Sequence, residues 1–349
     1  MINVLMCGSN LSVKGGMVTV VKNYLNFDWK IANITYIPTH ISNKILIIPF
    51  FLFQCIKIII FVIIHKPQIA HLHTAERGSF YRKAFLVILL KKMGVKTIMH
   101  HHAAEFDIFY SNLSSILKKI INKVLSSVDI NIVLSKKLIP MIKLKAPNAN
   151  VAYLYNAVNT YDKNLYNPKA KNIMFLGRLG KRKGTYDFLD AIKLLDKIID
   201  KDIKIFLCGD GDVEGVSSYI QKIKIQNRIE YIGWIDDNKK QEFFKKTMIN
   251  VLPSYNEGLP MTILETMAYG IPNISTNIAS IPEVIHDGLN GFLVSPGDIN
   301  SLAHKLLVLI NNNELKTKFS ESSYKLILKQ FSLDSNIKKL EEIYVQLIS

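Results

Sequence analysis

Acidic residues are scarce in the first half of this chain. Residues 1–165 hold 20 Lys+Arg against 6 Asp+Glu, a net of +14, whereas the remainder holds 24 against 22. Nearly all of the formal charge of +16 therefore lies on one half, which calls for an anionic ligand or surface on that side. Nucleic acid is not the expected partner, because there is no zinc finger, no RNP motif and no basic helix interleaved with aromatics. An anionic membrane surface fits better, since each Lys or Arg near lipid head groups is worth about 1 kcal/mol. Cysteine is equally sparse. Cys7, Cys55 and Cys208 lie far apart without a CxxC spacing, the pattern of reduced thiols in a cytosolic protein. No GK[ST] closes a glycine-rich loop, so there is no Walker motif, and no GxSxG supports hydrolase chemistry. MINVLMCGSN is a short apolar run ending in turn residues, so no cleavable signal peptide is expected.

Only one long apolar stretch is present, ILIIPFFLFQCIKIIIFVIIHKP from Ile45 to Pro67. Its length suffices for a membrane span, but Pro49, Gln54 and Lys57 interrupt it. The strand-like QIAHLHTA that follows belongs with the domain begun at Met1, and a crossing would separate the two. A buried or membrane-touching helix is the better expectation.

Elsewhere short apolar runs alternate with helical segments, as in α/β proteins with parallel sheets. Strands are expected at Ile2–Cys7, near Ile34–Ile37, at Ile69–His73, Lys96–His101 and Ile130–Leu134, and near Val151–Leu154. A second series begins at Asn172–Gly177 and continues with Lys204–Cys208, Ile229–Ile232, Ile249–Leu252 and Asn273–Ser275. The polar stretch NTYDKNLYNPKAK, residues 159–171, reads as a linker. The expected architecture is two Rossmann-like, doubly wound domains, residues 1–160 and 170–330, facing a central cleft at the strand carboxyl ends.

Three stretches carry candidate chemistry. In SYNEGLPMTILETMAYGIP, Glu257 lies in a turn after a buried strand, and a helix runs over Met261–Tyr269. The first amides of such a helix are free to meet a phosphate, and Glu257 and Glu265 could bind sugar hydroxyls. A charge favourable to the helix dipole plus a solvated glutamate is the structural alternative. In IMFLGRLGKRKGTYDFLDAI, Arg178, Lys181, Arg182 and Lys183 follow a strand end, a plausible diphosphate clamp or a solvated basic turn. In GSNLSVKGGMVTVVKNY, Gly15 and Gly16 let backbone approach a ligand ahead of a helix. The DxD-like Asp210–Gly211–Asp212 reads as a tight turn rather than a metal site.

Together these stretches resemble the retaining glycosyltransferases of family 4, which have the GT-B fold, and the resemblance covers nearly the whole chain. Its most specific part is YNEGLPMTILETMAYGIPNISTNIASIPEVIHDGLNGFLVSPGD, residues 255–298, with the E-x(7)-E signature. FLGRLGKRKG adds the Arg and Lys pair, and HLHTAERGSFYRK with HHHAAEFDIFY looks like the bacterial capsule and O-antigen branch. The resemblance implies that Arg178 and Lys183 hold the donor diphosphate, that Glu257 contacts the transferred sugar and that Glu265 binds the ribose. It further implies that the Gly15–Gly16 loop closes over the phosphates and that backbone near Ile232 and Gly233 holds the base. The last helix, in 331–349, returns to the first domain. A nucleotide-sugar donor, UDP-linked by preference, would be co-substrate, with no cofactor and no metal. The acceptor would be a lipid-linked saccharide, met at the cytoplasmic face of the cell membrane by a peripheral enzyme. A sugar-nucleotide 2-epimerase of the same fold and a non-catalytic nucleotide-binding protein are the alternatives.

The sequence departs from the family pattern in several places. Ala279–Ser280 stands where Gly-Gly is usual, and Asn156–Ala157–Val158–Asn159 where Asn-Gly-Val-Asp is usual. Pro260 removes an amide from the phosphate-binding turn, leaving Met261 and Thr262 as donors. Finally, His100, His101 and His102 end a strand, so His100 and His102 share a face and His101 points away. No Cys, Asp or Glu nearby has zinc spacing, and by resemblance His102 reaches the donor sugar, with Ala103 in place of a glycine.

Overall fold

The computed structural model describes all of residues 1–349. The chain divides into two compact units, Met1–Ala157 with Leu333–Ser349, and Val158–Ser332. The boundary thus falls inside Asn156–Asn159, the tetrad that departs from the family pattern. The stretch 159–171 is not a free tether: Tyr161, Leu165 and Tyr166 pack on the core of the second unit, and the Tyr166 hydroxyl donates to the Met248 carbonyl at 3.1 Å.

The first unit holds six parallel strands, β1 (Ile2–Gly8), β2 (Ala32–Pro38), β3 (Ile69–Thr74), β4 (Lys96–His101), β5 (Ile130–Val133) and β6 (Val151–Tyr153), in the order β2-β1-β3-β4-β5-β6. β3 and β5 are buried along their full length, β5 with the mostly apolar run INIV and β3 with His71 and His73 among its apolar residues. The order reverses between β1 and β3. The helices used below are α1 (Gly16–Leu25), α2 (Ile47–His65) and α3 (Gly78–Lys92). The final helix, Leu333–Ile348, belongs to this unit: its Asn336 side chain accepts from the Tyr24 hydroxyl at 2.9 Å, and Tyr344 is fully buried.

α2 is long and apolar enough to cross a membrane by length and composition alone. However, Phe51, Gln54, Cys55, Ile58 and Val62 form a stripe buried on the first unit, with the apolar members in its core. The opposite side stays open: Ile48, Leu52, Phe53, Ile56, Ile60, Ile63 and Ile64 are each at least 50% exposed.

The second unit repeats the design with β7 (Asn172–Leu176), β8 (Ile205–Cys208), β9 (Ile229–Gly233), β10 (Thr247–Leu252), β11 (Asn273–Thr276) and β12 (Gly291–Val294), ordered β12-β11-β10-β7-β8-β9. β12 was not foreseen; its GFLV core is four residues long and sits inside the loop-rich end of the E-x(7)-E stretch. The order reverses between β7 and β10. In open α/β sheets the crevice at such a reversal is where ligands bind. The two loops that leave the carboxyl ends of β7 and β10 are the GRLGKRKG and SYNEGLP stretches.

Candidate functional site

The loop after β7 is held open by glycine. Gly184 has φ +71, and a Cβ there would lie 2.0 Å from the Pro253 carbonyl oxygen, so only glycine lets this turn seat against the end of β10. Gly211 does the same on the other flank: with φ +109, its added Cβ would meet the Leu179 carbonyl oxygen at 2.4 Å. The Asp210–Asp212 stretch is therefore a turn that supports the Arg178 loop, and Asp212 caps the helix Val213–Ile223 through Gly215 N at 3.0 Å.

This seating laces the two loops together. Tyr255 N donates to the Arg182 carbonyl at 2.9 Å, Arg182 Nη1 donates to the Asn256 carbonyl at 3.2 Å, and the Tyr255 hydroxyl donates to Asp187 at 2.6 Å. The result is a buried ion pair in which Lys183 Nζ donates to Glu257 Oε1. The two side chains are 15% and 5% exposed. Ser254 Oγ donates to the same carboxylate oxygen at 2.8 Å. Arg178 stands exposed on the same loop, with no ion pair, free to turn onto a ligand.

The helix Met261–Tyr269 starts immediately beyond, with bounds identical to those expected. Pro260 occupies the cap position, and no side chain caps the helix. The amides of Met261 and Thr262 therefore have no intrahelical acceptor and present a partial positive charge. A buried network fixes the helix on the sheet: Asn250 Nδ2 donates to Asn273 Oδ1 at 2.7 Å, and Thr266 Oγ1 to the same oxygen at 2.9 Å. Glu265, on the second turn, pairs with Lys240 Nζ at 3.2 Å, both side chains 18% exposed. Burial pushes the Glu265 carboxyl up, and Lys240 opposes that shift. Lys240 was not singled out from the sequence, because only the fold brings helix Asp237–Lys246 beside Glu265.

Ala279 keeps φ +45, the left-handed backbone that the usual glycine favours, despite its Cβ. The turn's shape survives the substitution at roughly 1–2 kcal/mol of backbone strain. Gly233 ends β9 with φ +136, and its carbonyl accepts from Gly209 N at 2.8 Å.

In the first unit, Gly15 has φ +144 and precedes α1, which begins at Gly16; nothing lies within 4 Å of where a Gly15 Cβ would be. The histidines divide as the strand alternation requires. His101 Nε2 donates to Asn131 Oδ1 at 3.1 Å, beside Phe80 and Phe106. His100 and His102 share the other face, ring centroids 4.3 Å apart. The parallel register sets His73 opposite His100, so β3 adds His71 and His73 to that face. His71 Nδ1 meets the Tyr344 hydroxyl at 2.7 Å and its Nε2 meets His100 Nδ1 at 3.1 Å, while His73 Nδ1 meets His102 Nε2 at 2.8 Å. Sequence reasoning missed this four-ring cluster; the H-x-H on β3 was its only signal. His71, His73 and His100 bring ring nitrogens within 4.8 Å of one another, close enough to share an ion. Both nitrogens of His71 are already engaged, leaving His73 Nε2 and His100 Nε2 as buried atoms without a partner. Burial pushes His71 and His102 down to about 3 and His101 to about 4, so these rings are neutral in the fold at neutral pH.

The second unit thus joins cations, a buried carboxylate and free helix amides at one sheet reversal, an arrangement for an anion bearing hydroxylated groups. Residues 159–326 match the glycosyl transferases group 1 family. A protein of the cps region of Klebsiella pneumoniae is 28% identical over 319 residues, 83% of this chain and 86% of its own length. The Escherichia coli UDP-Gal:alpha-D-GlcNAc-diphosphoundecaprenol alpha-1,3-galactosyltransferase is 23% identical over 303 residues, 81% of this chain and 76% of that protein. Among solved structures, Anabaena Alr3699/HepE with UDP-glucose superposes with a TM-score of 0.78 at 13% identity, covering 99% of this chain and 100% of that one, so the GT-B fold is shared. The second unit thus matches the group 1 glycosyltransferases nearly throughout, and the chain as a whole has the GT-B fold.

Proposed function

We propose that the chain moves a sugar from a nucleotide-sugar donor, UDP-linked, to a lipid-linked saccharide acceptor in bacterial surface-polysaccharide assembly, with retention of anomeric configuration. The observation that carries this reading is the Lys183–Glu257 pair at the uncapped start of helix Met261–Tyr269. Arg178 and Lys183 hold the donor diphosphate, assisted by the amides of Met261 and Thr262, and their charge stabilises the departing nucleoside diphosphate. Glu257 orients the transferred sugar, Glu265 the ribose, and the backbone at Gly233 the base. Gly15, Gly16 and His102 of the first unit keep the donor-side roles that the family resemblance implies. The names of the Klebsiella and E. coli relatives support the pathway and the lipid-linked acceptor.

The exposed face of α2 supports action at the cytoplasmic membrane surface. Lys57 sits 4.8 Å from the Phe53 ring centroid, placing an ammonium beside the apolar strip, as residues at a lipid interface do. The protein should pellet with anionic vesicles; high salt should release the electrostatic share, and Ile56→Glu with Ile60→Glu should remove the rest. Absence of pelleting at every salt concentration would remove the membrane from the account. The catalytic reading is tested by screening sugar nucleotides for transfer and donor hydrolysis, in chelator, with Glu257→Ala as comparison. A product formed without acceptor and isomerised at the donor sugar would favour the epimerase reading instead.

A further inference from the structure

The segment ERGSFYRK, residues 76–83, is left unused by the site described above, yet it starts α3 at the other sheet reversal, between β1 and β3. Lys83 on it is 1% exposed, and its ammonium donates to the Thr39 hydroxyl at the end of β2. No carboxylate pairs with it. Glu105 pairs with Arg77, Asp107 with Lys145 and Asp129 with Lys91. A buried ammonium without a counter-ion is costly unless it is neutralised or meets an anion. Burial holds Lys83 down at about 7, with Cys7 opposing and Arg82 adding to the shift. Arg82 is half-buried; its Nη1 lies 3.3 Å from where a Gly78 Cβ would be, and its Nε is buried with no partner. His40 Nδ1 is likewise buried and unpartnered, and its ring is held below the usual range by burial and then by the charges of Arg82 and Lys83. The three groups are therefore close neighbours. α3 has no acidic residue in its first turn and no side-chain cap, so its amino end adds free amides to the same place.

We propose that Arg82, Lys83 and His40, with the amino end of α3, form a phosphate-binding site in the first unit that takes the diphosphate of the lipid-linked acceptor. That the diphosphate belongs to an acceptor rests on the function proposed above; the anion site itself does not. Arg82 offers the bidentate fork, His40 a neutral donor, and Lys83 the charge behind them.

The test is calorimetric titration of the full chain, saturated with UDP, with inorganic pyrophosphate and separately with farnesyl diphosphate in metal-free buffer. Both are expected to bind, the prenyl form at least as tightly. Arg82→Gln and Lys83→Met should each weaken both by tenfold or more and leave UDP affinity within twofold. No binding to the wild type, or binding that either variant leaves unchanged, overturns that assignment. Pyrophosphate binding with the prenyl form excluded would make this a free-phosphate site and overturn the acceptor. Lys83→Met conserves volume and removes a buried charge; should it fail to fold, half-buried Arg82→Gln decides alone. Loss of the wild type's UDP affinity would instead count against the function proposed, a separate readout.

Discussion

Replacing Lys183 by Met separates the structural from the chemical part of the site. Glu257 is 5% exposed and would keep only the Ser254 hydroxyl, at 2.8 Å, to satisfy its charge. Breaking a buried pair from one side costs about 3–5 kcal/mol, and the remaining hydroxyl moderates this to about 2–4 kcal/mol. For a unit of this size that lowers Tm by roughly 4–16 °C. Lys183→Met with Glu257→Gln leaves no stranded charge, so the double variant should recover about 1–3 kcal/mol relative to the sum of the singles. Activity should not recover, because the double variant lacks both the diphosphate cation and the sugar-orienting carboxylate; transfer falls by about 10²–10³ or more. Glu257→Gln alone frees Lys183 from its partner, so UDP should bind at least as tightly as in wild type while transfer is lost. Thermal melts of the four proteins, UDP titration and transfer assays read all of this. Additive stabilities within about 0.5 kcal/mol would refute the pairing argument. Unchanged transfer in either single variant would refute the site.

Other expectations follow from the same geometry. Gly184→Ala brings a Cβ to 2.0 Å from the Pro253 carbonyl oxygen and must hold φ +71, so melting temperature and transfer should both drop, whereas Gly15→Ala, which meets no atom within 4 Å but must hold φ +144, should lower the melting temperature less and still reduce transfer. His71, His102 and His101 are neutral when folded, with values of about 3, 3 and 4, but titrate near 6.5 when unfolded. The unfolded chain therefore takes up protons first, and stability falls as pH drops below about 6.5, by up to about 1.4 kcal/mol per pH unit for each ring. A melting temperature flat from pH 6.5 to 5 would contradict their burial. His102→Ala should impair transfer far more than His101→Ala, whose ring serves Asn131, Phe80 and Phe106 and whose loss should register mainly in Tm.

Most strands were legible because a parallel sheet buried on both faces writes itself as short apolar runs, as in Ile130–Val133 and Thr247–Leu252. The helix Met261–Tyr269 was legible to the residue, since Pro260 precedes it and Gly270 ends it with φ +90. What stayed hidden depends on contacts between distant segments. The strand register that sets His73 against His100, and the helix that brings Lys240 to Glu265, leave no local pattern. The basic excess of the first half was plain, but not that Lys83 would be buried within it, because nothing in FYRKAF marks which of its two cations faces inward. Nor did the sequence reveal that Ala279 would adopt a glycine-like φ.

The central claim is that the Lys183–Glu257 site performs sugar transfer from a nucleotide donor. It is tested most directly by incubating wild type and Glu257→Gln with a panel of sugar nucleotides and a prenyl-diphosphate saccharide. The account predicts an extended saccharide with one wild-type donor, with chelator present, and at least a hundredfold less with the variant. Equal product from both proteins, or none from wild type with any donor, would contradict it.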